Sequence, residues 1–177
     1  MTINERTVQN WLWRYHKSGS ELVMPNYTPG NWWECDVIVV TKSLMWHEYE
    51  IKLTKHDFHE DTKKARVKWR PHLNSDGVTQ FGPVTETTKH LQLAGASTAG
   101  PNCFWFVMPR DLVPLCEIPL WAGVKWIVPR GKWLAFEVAR KAPRLHSQPV
   151  ERKVIEHARS VCYWRYWNER SKAQVSA

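Results

Sequence analysis

Apolar residues recur along this chain with two periods, and the switches between them divide it into elements. Val8, Trp11, Leu12 and Tyr15 fall at i, i+3, i+4 and i+7, which predicts an amphipathic helix over roughly residues 4–17, ended by Ser18-Gly19-Ser20. Residues 21–24 fit a short strand before the turn-rich stretch from Pro25 to Gly30. Trp32–Val40 and Leu44–Leu53 read as strands, and the polar turn Thr41-Lys42-Ser43 is short enough to pair them as an antiparallel hairpin.

Residues 55–70 are polar and helix-compatible, and Pro71 stops them. From Pro71 to about Gly82 the sequence carries loop chemistry and interrupts a helical region that resumes at Glu86–Ala94, so it reads as an insertion. Cys103–Met108 is a continuous apolar run of central-strand type, closed by Pro109. Lys125–Val128 and Trp133–Val138 are two further short strands around Pro129-Arg130-Gly131. Ser147-Gln148-Pro149 offers a cap and an N1 proline to a last helix reaching about Arg170, followed by a small-residue tail expected to fray. The order helix, strands, helix, strand, strands, helix predicts an α/β fold with a mixed sheet. With 177 residues the chain fits one domain over residues 1–146, with its insertion at about 71–85, and a C-terminal helix and tail over 147–177.

The chemistry concentrates in the hairpin ECDVIVVTKSLMWHEYEIK, residues 34–52. Side chains alternate along a strand, so Glu34 and Asp36 share a face, as do Glu48, Glu50 and Lys52 on the partner. Mg²⁺ uses one or two carboxylates and completes its shell with water and phosphate, and Asp36 with Glu50 supplies that minimum. Lys52 projects to the same side, where its ammonium would act on the attacking water and the phosphate while contributing little to folding. The plain alternative is an exposed polar face with a Glu–Lys cross-strand pair worth roughly a few tenths of a kcal/mol. The run DVIVV weighs against it, because such a run suits burial on both faces. Glu34 is either a further ligand or a solvated strand residue, and Glu48 a solvent-facing acid or one that supports the ligands.

Charge and aromatic content change the picture in one direction. There are 25 Lys+Arg against 17 Asp+Glu, a net +8, which favours a polyanionic partner. Seven Lys/Arg against three acids lie between Lys52 and Arg70, and eleven against four between Arg130 and Lys172, flanking the acidic hairpin as a phosphate backbone requires. Candidate phosphate contacts are Lys55, Lys63, Lys64, Lys89 and His90. Of twelve tryptophans, Trp11, Trp105 and Trp126 fall on predicted apolar faces. Trp32, Trp33 and Trp46 lie beside the hairpin, where packing is the simpler role and base stacking the other.

His47, His56 and His59 have carboxylates and a lysine as neighbours, which favours Mg²⁺ or Mn²⁺ over zinc and leaves the histidines as surface or phosphate-contacting groups. Cys35, Cys103, Cys116 and Cys162 are scattered without zinc-site spacing. No apolar run approaches bilayer length, and the charged N-terminus lacks a secretory core, so a cytoplasmic protein without a membrane partner is expected.

Taken in order, ECDVIVV, EYEIKLTKHDF, DTKK, PNCFWFVMP, WAGVKWIV and KAPRLH resemble the PD-(D/E)XK nuclease superfamily. They are nearest its MmcB-like DNA-repair group and phage-borne relatives. That group's pattern runs D…E(I/V)K-x-(S/T)-x-x-DF, a KK/KH helix, a strand ending in proline and an AGL(I) strand; the match spans roughly residues 5–146. The resemblance implies a restriction-endonuclease-like αβββαβ core with a mixed sheet flanked by helices. It also implies a Mg²⁺ (or Mn²⁺) ion held by Asp36, Glu50 and the Ile51 backbone carbonyl, with Lys52 as the catalytic lysine. The activity so implied is metal-dependent DNA hydrolysis in repair, recombination or phage DNA metabolism. Two alternatives stay open: a non-cleaving DNA-binding or recruitment module on the same fold, and an RNA-processing nuclease. The insertion separates Lys63-Lys64 from Lys89-His90 and leaves open whether the latter pair reaches the site. A homodimer also stays open.

Overall fold

The computed structural model describes residues 3–30, 32–63, 65–73 and 79–175. In chain order the elements are α1 (Glu5–His16), β1 (Ser20–Tyr27), β2 (Cys35–Thr41), β3 (Trp46–Ile51), α2 (Lys55–Asp61), β4 (Ala65–Leu73), β5 (Thr79–Thr88), α3 (Lys89–Ala94), β6 (Cys103–Pro109), β7 (Ala122–Arg130), β8 (Trp133–Arg140) and α4 (Arg152–Val175). Six strands form one mixed sheet in the order β1-β2-β3-β6-β7-β8, and β4 pairs with β5 in a separate two-stranded sheet. The α/β expectation with a mixed sheet is met. The β1-β2-β3 meander is antiparallel, whereas β3-β6 and β6-β7 are parallel. A parallel pair needs a long crossover, and everything from α2 to α3 serves as the one between β3 and β6.

Alternation along the central strands sorts side chains into two cores. Ile38, Val40, Trp46, Phe104, Phe106, Met108 and Val124 pack on one face against Phe58 of α2, Leu93 of α3 and Ile155 and Ala158 of α4. Val37, Val39, Tyr49, Ile51, Val107 and Ile127 pack on the other against Val8 and Leu12 of α1. The sheet is thus covered on both sides, which explains the unbroken apolar runs of β2 and β6. On the α1 side Lys125 is buried with Nζ 4.7 Å from the Tyr15 ring, 5.0 Å from Trp105 and 5.8 Å from Tyr49, and burial lowers its pKa. Trp11, Trp105 and Trp126 are partly buried against the two cores, as expected.

Helix α1 begins where Asn4 Oδ1 accepts from the Thr7 N–H at 2.8 Å, an N-cap of the usual kind. The hairpin turn falls where the sequence places it, with Thr41 accepting from Leu44 and Met45. Three expectations are corrected. The helix over 55–70 ends at Asp61, and the stretch expected as a loop insertion is the β4–β5 hairpin, whose tip lies outside the described residues. Val67, Trp69 and Pro71 alternate with Arg66, Lys68 and Arg70, a period of two that the polar composition hides. The helical region expected from Glu86 begins only at Lys89, with Thr88 as its N-cap.

The last helix also starts later than Ser147-Gln148-Pro149 and runs to Val175. Residues 141–151 form an extended strap instead, because their backbone bonds elsewhere. Asn102 Nδ2 donates to the carbonyls of His146 (3.0 Å) and Gln148 (2.8 Å), Leu145 N–H donates to Asn102 O, and Val150 N–H donates to Leu44 O. The strap crosses β7 at Gly123, where a Cβ would lie 2.5 Å from Ala142 N and 2.6 Å from Trp105 Cε3. The backbone there cannot yield cheaply, so Gly123→Ala should lower stability by about 1–3 kcal/mol. Urea melts of the two proteins measure this, and equal midpoints would mean that the strap does not sit against β7.

Candidate functional site

The two-residue period that buries Trp46 carries Glu48 and Glu50 into the same interior face of β3, and Lys52 follows just past its end. On the neighbouring strand Glu48 lies level with Phe104 and Glu50 with Phe106. Glu48 and Glu50 are 0% exposed and Lys52 2%. Isolated charges cannot persist in such a place, and these are not isolated. Lys89, the first residue of α3, is 0% exposed and places Nζ 2.6 Å from Glu48 Oε1 and 2.6 Å from Glu50 Oε2, with the Glu34 carbonyl at 3.5 Å. Lys52 Nζ lies 3.0 Å from Glu50 Oε1, 2.9 Å from Asp61 Oδ1 and 3.6 Å from Asp57 Oδ1. Trp32 Nε1 donates to Glu48 Oε2 at 2.7 Å, and His90 Nε2 is 2.9 Å from Asp61 Oδ2.

The result is a continuous row, Trp32–Glu48–Lys89–Glu50–Lys52–Asp61–His90, in which acid and base alternate. Burial pushes the Glu48 carboxyl up from its ordinary value, and Lys89 pulls against it. Burial pulls the Lys89 pKa down, but the charges of Glu48 and Glu50 outweigh it and hold the ammonium well above the usual lysine range. The Cys35 thiol, beside the same acids, is raised by burial and by Glu48.

Asp36 stands at the edge of this row. It is partly buried, its Oδ2 accepts the Ile51 N–H at 2.6 Å, and among the described residues it has no ion-pair partner. Burial first, and then the Glu50 charge, push its pKa up to about 7, against the pull of the Ile51 N–H and Lys52. Gln9 of α1 fixes the backbone here: its Nε2 donates to the Asp36 carbonyl at 3.2 Å and also to Glu5 Oε1 and Asn26 Oδ1.

The structure therefore brings Asp36, Glu50, Ile51 and Lys52 together, and adds Lys89 and His90 across the intervening hairpin. Other assignments are corrected. Lys89 is wholly interior and presents nothing to a phosphate backbone, because two glutamates hold its ammonium. Glu48 is buried instead of solvent-facing, since Trp32 and Lys89 satisfy it. Lys52 is a core residue with carboxylate partners, so it matters to folding. The Glu34 side chain is exposed, and only its backbone carbonyl faces the row. Trp32 and Trp46 are buried with ring centroids 5.9 Å apart, leaving no face for a base. Lys55 and Lys63 are exposed, the latter paired with Glu60 at 2.6 Å, and Lys64 lies outside the described residues. The sequence reading missed Asp61, although it stands three residues after Phe58, the spacing of one buried helix face.

Among the described residues no three His, Cys, Asp or Glu side chains converge to hold a metal ion. A hard divalent cation needs fewer protein ligands, and the carboxylates of Asp36 and Glu50 have the right donor chemistry. Both Glu50 oxygens have an ammonium within 3.0 Å, so a cation there must take the place of one of them.

Removing one member of a buried pair leaves its partner's charge uncompensated, so Lys89→Met should cost about 3–5 kcal/mol at pH 7.5. Adding Glu48→Gln to it should restore part of that loss, a coupling read from urea titrations of the single and double variants; simple additivity would contradict the ion pair. Asp36 makes a second prediction. Its pKa is raised above the unfolded value of 3.8, so the folded state binds the extra proton, and stability falls as pH rises from about 4 to about 7. Asp36→Asn should remove this slope, so its melting temperature should gain on wild type between pH 5 and about pH 7.5; parallel curves would refute the buried, acid-facing carboxyl.

Neither a family model nor a curated protein matches the sequence. Among solved structures the chain is similar to the SPO1766 protein of unknown function from Silicibacter pomeroyi, with a TM-score of 0.61 and 12% identity over 98% of this chain and 96% of that one. At that identity the likeness shows a shared α/β fold and nothing about chemistry.

Proposed function

We propose that the protein is a Mg²⁺- or Mn²⁺-dependent nuclease of the PD-(D/E)XK type acting on DNA, with a restriction-endonuclease-like core. What supports the core is the run α1–β1–β2–β3, a crossover with helices, and β6 parallel to β3, an αβββαβ order. The observation that carries the chemistry is the convergence of Asp36, Glu50 and Lys52. Asp36 bonds the Ile51 N–H immediately after Glu50, and Lys52 contacts the Glu50 carboxylate.

In this reading Asp36 and Glu50 hold the cation, which when bound polarises the phosphoryl oxygen and acidifies water. Lys52 supplies a fixed positive charge beside the phosphate. Asp61 positions its ammonium, and His90 positions Asp61 through the second carboxylate oxygen. Lys89 would stay paired with Glu48 if a cation took its place at Glu50.

One observation favours a second reading, a non-cleaving DNA-binding module. Lys89 and Lys52 already place an ammonium against each of Glu48, Glu50 and Asp61, so the buried acids have charged partners without a metal. Labelled single-stranded, duplex, flap and four-way DNA, incubated with Mn²⁺ or EDTA, separates the two. The nuclease reading expects cleavage in Mn²⁺ only, with Glu50→Gln and Asp36→Asn each slowing single turnover by about 10²-fold or more. Binding of all four substrates, weakened steeply by salt, with Mn²⁺ and EDTA lanes alike, would leave the binding module standing.

A further inference from the structure

Helix α4 changes character half-way along. Ile155 and Ala158 are buried and Val154 and Val161 pack against the core, yet from Cys162 to Lys172 every residue is exposed. That exposed half contains YWRYW, with Tyr163 57%, Trp164 61%, Tyr166 57% and Trp167 43% exposed. At about 100° per residue the four rings cover an arc of roughly 160° on one side of the helix. They touch one another edge to face, with centroids at 5.5 Å for Tyr163–Trp164, 6.2 Å for Tyr163–Trp167 and 5.4 Å for Tyr166–Trp167.

The orientation of the arc is fixed by contacts to β1. Arg165, on the opposite flank, donates to the carbonyls of Pro25 (2.9 Å) and Asn26 (2.5 Å), and earlier along the helix Arg159 pairs with Glu21 at 2.5 Å, so the arginines tie the helix to β1. Within the arc, Arg170 sits 5.8 Å from the Trp167 ring and donates to Tyr166 Oη at 3.2 Å. The rings are held in place before any partner arrives.

Large exposed aromatic groups imply a partner, and charge and composition choose among the candidates. Residues 152–175 carry six Lys/Arg against two glutamates, so two copies meeting face to face would press like charges together. A helix lying in a lipid surface sinks a continuous apolar face into the acyl boundary, with Leu and Phe beside any Trp, and a helix seam needs aliphatic knobs, whereas no Leu, Ile, Val, Met or Phe lies between 162 and 172. Rings with polar tips interleaved with guanidinium groups suit unpaired bases on a phosphate backbone, since every base has a face to stack.

We infer that the exposed half of α4 is a stacking platform for single-stranded DNA, built from Tyr163, Trp164, Tyr166 and Trp167 with Arg170. This rests on the nucleic-acid part of the functional reading and not on its cleavage step. It assigns the substrate class as DNA with an unpaired segment.

The test measures anisotropy of a labelled single-stranded 20-mer and of its duplex in EDTA, with full-length wild type and Trp164→Ala/Trp167→Ala. The double variant should bind the single strand about 10-fold or more weakly, bind the duplex as wild type does and melt like wild type, because both rings are exposed. On unmodified wild type, photocrosslinking with a bromouracil-substituted strand should place the adduct in the peptide spanning 160–172. Equal weakening on single strand and duplex, or an adduct elsewhere, overturns the platform. So does tighter binding of the same sequence as RNA, a wild-type dimer that the double variant abolishes, or recovery on phosphatidylserine vesicles that it loses. Failure of wild type to cut DNA, with the platform results as expected, removes the nuclease reading and leaves this one in place.

Discussion

Two buried ammonium groups hold together a row of carboxylates that the strand period forces into the interior. Once Trp46 faces the core, Glu48 and Glu50 must face it too, because side chains two apart share a face. Leaving such acids unpaired would cost more than a small domain can spare, so their partners must be delivered with sub-ångström placement. Lys52 comes from the same strand end. Lys89 comes from the start of α3, and its arrival couples the crossover to the sheet.

That coupling explains the fold around the site. The α2-to-α3 crossover is interrupted by the β4–β5 hairpin, but the hairpin is antiparallel with Ala65 opposite Thr88, so its two ends return to the same place. A segment that leaves and re-enters at one point can be long without disturbing what lies on either side. Lys89, just after it, still meets the β3 acids, and Asp61, shortly before it, still lies between Lys52 and His90. The parallel β3-β6 pairing then places Phe104 and Phe106 beside the carboxylates, drying the site and strengthening each ion pair within it.

Asp36 differs because among the described residues no ammonium pairs with it directly. Burial and Glu50 oppose its carboxylate more than the Ile51 N–H and Lys52 stabilise it, and this unequal balance distinguishes it chemically from the buried, directly paired members of the row. The polarity of the molecule follows the same division: an ion-paired interior on one face of β3, and at the far end of the chain an exposed aromatic and basic helix.

The chain pattern by itself determined α1, the β2–β3 hairpin, β6 and the face shared by Glu48, Glu50 and Lys52. Each of these depends on contacts between near neighbours and on a period that repeats along one element. The β4–β5 hairpin escaped because the charged residues alternating through 66–70 suit a solvated helix equally well, and the polar and glycine-rich stretch from Pro71 to Gly82 suits a loop. The late start of α4 escaped because Asn102, far away in sequence, claims the backbone at His146 and Gln148. Asp61 and the interior role of Lys89 could not be read at all. Which distant ammonium reaches which carboxylate is set by the crossover's path in space, and an ion pair leaves no period in the sequence. Sequence thus decided where the acids face; only the tertiary structure decided what neutralises them.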